Sequence, residues 1–305
     1  MLPCQSKGAI NSQLLKTLDL QRELFSDQYQ SVEIGDQSFI YLLQENTTAI
    51  TRGVAVLLAD SGVTVAKKQG FVPLAQELNK LGWVTIILPA PEIAFTPVVT
   101  ENTATEDTES TEVATTYINP AEDNDTAPEN NDTTPENNQA ETDVALDNVD
   151  INKSVVSSMN ETAFLQHEQQ LIALLQAAVE KSQEYPGFLL VISEGTSAAW
   201  LSKIYAEQSL ATPDGFVTIS PYWPDRKFNQ LLAQWLADTP MPVLDLYNQW
   251  DNEWARQTVT QREIAAIRSL KLQYRQRQLL GVDTPLQNSA YLSKEIYGWL
   301  SHMGW

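Results

Sequence analysis

A chain of 305 residues that is 43% apolar, with eight Trp, ten Tyr and eight Phe, is long and apolar enough to bury a full core. Its formal charge of −20 argues against nucleic acid or an anionic membrane as partner, since clustered Lys and Arg hold both. One cysteine, Cys4, and two histidines, His167 and His302, leave no material for a disulfide framework, a cysteine zinc site or a His-rich metal centre, and no cofactor is expected.

Leu14, Leu15, Leu18 and Leu24 recur at helical spacing and predict an amphipathic helix over 12–25. Tyr29 to Ile34 and Gln37 to Leu43 read as two strands joined at Gly35-Asp36, a hairpin. The unbroken apolar run Gly53 to Leu58 is that of a strand covered on both faces. A helix follows from Phe71 to Leu81 and stops at Gly82, which supplies the left-handed residue a helix end favours. Trp83 to Leu88 is a second buried strand, closed by Pro89 and Pro91.

From about Pro97 to Ser154 the composition changes to Thr, Glu, Asp, Asn, Pro and Ala. Residues 101–150 hold 15 acidic and no basic residues; the rest of the chain carries 24 acidic against 19 basic. An imperfect repeat runs from Thr126 to Asn131 and again from Thr134 to Asn138. Such a segment cannot bury enough apolar area to offset its ordering entropy, so residues 97–154 are expected to be a disordered acidic insertion. It lies between a strand and a helix, so it interrupts a loop of one domain spanning 1–305 rather than linking two.

Helices are predicted over Ala163–Lys181, Ala198–Glu207, Phe228–Leu236, Glu253–Ile267 and Tyr291–His302. Strands are predicted over Phe188–Ile192, Gly215–Ile219, Val243–Tyr247 and Leu270–Leu279. Alternation of this kind specifies an α/β fold, a mostly parallel, doubly wound sheet, here with an N-terminal antiparallel hairpin. No run approaches the length of a membrane span. As written, the N-terminus lacks a charged segment followed by an apolar one, so a cytoplasmic location is expected; a start further upstream with a signal peptide would make it periplasmic.

The stretch Ser193-Glu194-Gly195-Thr196-Ser197 sits between the strand ending at Ile192 and the helix beginning at Ala198. Strand, sharp turn and helix are the setting of a nucleophile elbow, G-x-S-x-G. On that pattern Gly195 takes the nucleophile position, and glycine has no atom with which to attack a carbonyl.

Gly53 to Leu58, Gly82-Trp83-Val84-Thr85 with Leu88-Pro89, Glu194 to Ala198, Met241 to Tyr247, Tyr274-Arg275-Gln276 and Gly298-Trp299-Leu300 together resemble the DUF3530 family of uncharacterised bacterial α/β-hydrolase-like proteins. The resemblance implies an α/β-hydrolase fold and supplies no established activity.

An active member of that superfold needs a nucleophile, a base, an acid that orients the base, and oxyanion donors. Asp251, after the strand ending at Tyr247, matches the acid position. The base should follow the strand ending at Leu279, but residues 281–288 contain no histidine. His302 comes about three turns too late in the last helix, where it can complement the helix dipole, and His167 precedes the elbow. The oxyanion loop reads Ala59-Asp60-Ser61-Gly62, and a carboxylate at 60 opposes a developing oxyanion.

The first reading is therefore a catalytically degenerate hydrolase fold that binds a small ligand or protein partner at a cleft of Asp60, Ser61, Ser193, Glu194, Gly195, Thr196, Tyr222, Trp223 and Asp251. A second is an esterase-like hydrolase using Asp60, Ser61, Glu194 and Asp251. A third is a scaffold whose acidic insertion holds a basic partner or cation. Beside these functional readings, Ser193 and Ser197 suit the packing of a tight turn, Asp251 suits a loop cap, and Tyr222 and Trp223 suit a core cover.

Overall fold

The computed structural model describes residues 29–35, 37–61, 70–91, 96–99, 155–158, 161–280 and 285–305. The helix expected over 12–25 and most of the acidic insertion lie outside the described residues. Among those described, ten strands are β1 (Gln30–Ile34), β2 (Gln37–Gln44), β3 (Gly53–Leu58), β4 (Trp83–Leu88), β5 (Thr96–Val99), β6 (Val155–Ser158), β7 (Phe188–Glu194), β8 (Gly215–Ile219), β9 (Val243–Asn248) and β10 (Tyr274–Leu279). Six helices are α1 (Phe71–Lys80), α2 (Glu161–Ser182), α3 (Gly195–Ala206), α4 (Arg226–Asp238), α5 (Glu253–Arg268) and α6 (Ser289–His302).

Eight strands form one sheet in the order β1-β2-β4-β3-β7-β8-β9-β10. β1 pairs antiparallel with β2, and β2 with β4; every other pairing is parallel. This is the fold expected from the sequence. Its central strands are apolar on both parities because both faces are covered. One face packs on α1 and α6, through Leu74, Leu78, Leu292 and Ile296. The other packs on α2, α3 and α4, through Leu171, Leu174, Ile204 and Leu232.

The two covers follow from the strand order. The chain leaves β3 for β4 on one side, then returns for β7 on the other, so the sheet switches direction between β3 and β7. The register makes Leu58 the partner of Ser193, Glu194 of Ile219, and Ile219 of Leu246. The C-terminal ends of β3, β7, β8 and β9 are therefore level, and their loops share one crevice at the switch point.

Local expectations fare unequally. Gly82 has φ +95° and directly follows the C-cap of α1, Leu81, as its place in the sequence predicts. The strand expected from Leu270 begins only at Tyr274: Leu270 takes a left-handed φ of +52° and ends α5 in a turn. Strand β7 and helix α3 meet directly at Glu194 and Gly195, where a longer turn over 193–197 is expected. The segment read as insertion carries strand at both ends: β5 crosses its expected start at 97, and β6 follows its expected end at 154. These two strands pair in a two-stranded sheet.

Candidate functional site

Gly195 begins α3 with φ +59°, the left-handed conformation that a sharp strand-to-helix turn requires. Beside it stands Asp60, on the loop that leaves β3. The Asp60 Oδ1 accepts from the Thr196 backbone N–H at 2.8 Å, from the Thr196 hydroxyl at 2.6 Å, and from the Ser61 backbone N–H at 2.8 Å. The Tyr222 hydroxyl lies 3.4 Å from Oδ2. A Cβ built on Gly195 would overlap the carboxyl group of Asp60.

This geometry is chemically specific. In an α/β-hydrolase the oxyanion hole is made by the backbone N–H after the nucleophile and by an N–H from the loop after β3. Here one carboxylate oxygen of the chain itself accepts from the N–H of Thr196, the residue after Gly195, and from that of Ser61, on the loop after β3. The N-terminus of α3 adds its positive dipole to the same oxygen.

Glu194 lies next to this group. Burial pushes its carboxyl up to about 8, with the Asp60 and Asp251 carboxylates adding to the rise. The Asp251 carboxylate is thus within electrostatic reach of Glu194. Burial raises the Asp251 carboxyl, against a hydrogen bond it accepts from the Asn248 backbone N–H at 2.7 Å. No group of three or more His, Cys, Asp or Glu side chains is arranged to hold a metal ion among the described residues.

The remaining candidates separate. Ser61 Oγ donates to the Pro91 carbonyl at 2.9 Å. Ser193 and Ser197 are fully buried, and their hydroxyls make no hydrogen bond with the described residues. Tyr222 reaches the site through Asp60, and its backbone N–H lies 3.4 Å from the Gly195 carbonyl. Burial first, and then the Asp60 charge, raise its phenol. Trp223 does not line the crevice. It is buried among Phe164, Trp200, Phe228 and Trp235, with ring centroids 4.6 to 6.0 Å away. His167 is buried in α2 against Trp200, and His302 is exposed at the end of α6.

One constellation is absent from the sequence reading. Asp245, in the middle of β9, is fully buried and pairs with the equally buried Arg262 of α5 at 2.8 Å. Thr218, Tyr274 and Gln276 also donate to its carboxylate, at 3.1, 2.6 and 2.9 Å. Arg262 in turn donates to the Pro221 carbonyl at 3.4 Å and to the Thr258 hydroxyl at 2.6 Å. The network thus braces the loop that carries Tyr222 from beneath. The signal was an aspartate inside an apolar strand, a position that demands a partner.

A family model described as "Protein of unknown function (DUF3530)" matches residues 6–302. The chain belongs to the DUF3530 family. No curated protein matches it. Solved structures similar to it include the esterase domain of a Rhodothermus marinus protein, at 9% identity and a TM-score of 0.51, covering 89% of this chain and 96% of that one. Est1E from Butyrivibrio proteoclasticus is similar at 7% identity and 0.52, covering 90% and 99%. A dienelactone hydrolase from Anabaena variabilis is similar at 11% and 0.51, covering 90% and 98%. At such identities the likeness shows the α/β-hydrolase fold alone.

Proposed function

We propose that this DUF3530 protein is a catalytically degenerate α/β-hydrolase fold that binds a small ligand or protein partner at the vestigial cleft without turning it over. The observation that carries this reading is the Asp60 carboxylate, which accepts from the Thr196 and Ser61 N–H groups beside a glycine at the nucleophile position. A tetrahedral oxyanion would have to displace a carboxylate already held by three donors, in a site whose neighbours Glu194 and Asp251 are also acidic. The cleft keeps the shape of the superfold and offers neither a nucleophile at 195 nor a histidine beside it.

Labelling with a fluorophosphonate probe, paired with a screen of short-chain acyl esters, tests the reading. The expected result is no stoichiometric modification and no turnover above the solvent rate. Labelling of Ser61, Ser193 or Ser197 would overturn it and favour an esterase-like enzyme. Gly195→Ser alone is expected to stay inactive, because the base is still missing and loss of one triad member already costs on the order of a millionfold.

A further inference from the structure

β10 closes one edge of the sheet and, among the described residues, pairs only with β9. Its outer side presents a row of N–H and C=O groups open to another strand. Large apolar side chains flank it. On α5 and the turn that follows, Ile267, Leu270 and Leu272 are 67%, 80% and 95% exposed. Toward α6, a groove of about 700 Å³ runs along the start of β10, lined by Leu272, Arg275, Trp299, His302 and Met303. Scattered exposed leucines are ordinary, but a run of them beside an open strand and a groove marks an interaction surface.

The charge of this edge is opposite to that of the molecule. Residues 268–277 contain Arg268, Lys271, Arg275 and Arg277 and no acidic residue, in a chain whose net charge is −20. Lys271 is turned to the Thr239 carbonyl. Arg277 lies 3.5 Å from Glu295 and is about half exposed. Arg275 lines the groove.

We infer that the β10 edge docks an extended segment of a partner protein in which acidic and apolar residues alternate, added as a further strand. Main-chain hydrogen bonds to β10 supply affinity, and alternate side chains supply selectivity. On the α6 side, where Arg275 lines the groove and Arg277 reaches Glu295, the acidic set meets both arginines; the alternate, apolar set lies toward α5, against Ile267 and Leu270. A second copy of the chain fits poorly. Two β10 strands paired antiparallel about Gln276 set Arg275 of one against Arg277 of the other, and like charges directly opposite are destabilising. Cations on an edge keep identical sheets apart and admit an acidic strand by the same electrostatics.

Fluorescence anisotropy with the full chain tests this, using a labelled peptide of about ten residues that alternates Glu and Val. The controls are a Lys/Val peptide and a Glu/Val peptide N-methylated at alternate residues. The Glu/Val peptide is expected to bind about tenfold more tightly than either control. The R275E/R277E variant should reverse the preference between Glu/Val and Lys/Val. Ile267→Ser, at a side chain 67% exposed, should weaken binding without moving the thermal unfolding midpoint. Equal binding of Glu/Val and Lys/Val, or full binding of the N-methylated peptide, would overturn the proposal. So would a dimer in sedimentation that Ile267→Ser dissolves, which would give the edge to a second copy.

Discussion

Burial between Asp60 and Asp251 pushes the Glu194 carboxyl up to about 8, from an ordinary 4.5. The native state then holds a proton that the unfolded chain has lost, so stability is fullest below about 4.5 and falls as pH rises through 8. Urea denaturation at pH 5, 6.5 and 8 is expected to show a loss on the order of 3 kcal/mol, which Glu194→Gln removes. His167 works in the opposite sense. Burial lowers its imidazole to about 4, from 6.5, and neither ring nitrogen has a hydrogen-bond partner among the described residues. Its contribution is present above 6.5 and is lost as pH falls through 4. His167→Leu is expected to flatten the acid side of the stability profile by about 3 kcal/mol. Neither shift was legible in the sequence. Glu194 adjoins the elbow and could be named as a candidate, but its proton depends first on burial and then on Asp60 and Asp251, which follow two other strands. His167 could be set aside as misplaced for a base, yet nothing local shows that it is buried.

Helix α5 is held to the sheet by charge as much as by apolar contact. Its buried stripe is Ala255, Thr258, Arg262 and Ala266, too poor in large apolar residues to glue a helix to a strand by area alone. The Asp245–Arg262 pair and its donors fill that gap. Breaking a buried pair by removing one partner costs about 3–5 kcal/mol, because the other charge stays buried. Arg262→Met and Asp245→Leu are each expected to fall in that range in chemical denaturation. The double substitution should recover part of the loss, which a double-mutant cycle reads as coupling. The sequence exposes half of this arrangement. Asp245 within an apolar strand is conspicuous, but α5 also carries Arg256 and Arg268, and the weak apolar stripe does not say which arginine turns inward. The same weakness let the apolar alternation from Leu270 read as strand, although the left-handed turn at Leu270 governs there.

At the scale of the molecule, the alternation of buried strands and amphipathic helices was enough to give the mostly parallel sheet and its antiparallel hairpin. Every strand of the eight-stranded sheet lies within the segments read as strand, or one to two residues beyond them. The short strands β5 and β6 were not legible, since four residues in a polar, Pro-bearing context carry no usable period. Their pairing brings the two ends of the acidic segment to strand spacing, about 5 Å apart. A short turn can therefore replace residues 101–150. Deleting them removes 15 acidic residues, and the remaining 24 acidic and 19 basic residues leave a charge of −5. The deletion is expected to leave the circular dichroism spectrum and the thermal midpoint within a few degrees of the parent, since loop-closure entropy changes slowly with length. A collapse of the cooperative transition would show that the segment belongs to the folded core.

The overlap between a Cβ at 195 and the Asp60 carboxyl ties the choice of residue at one position to the choice at the other. A serine arriving at 195 while Asp60 is in place must displace a carboxylate that holds the start of α3, and it gains no chemistry in return. An Asp60 lost first frees the elbow, yet leaves the Thr196 and Ser61 donors without their acceptor. Each single step toward a serine at 195 is thus penalised by the other position, and the two costs do not add independently. Positions 60 and 195 are therefore locked as a pair: a change at either alone passes through a less stable protein, so selection for folding by itself holds both residues in place.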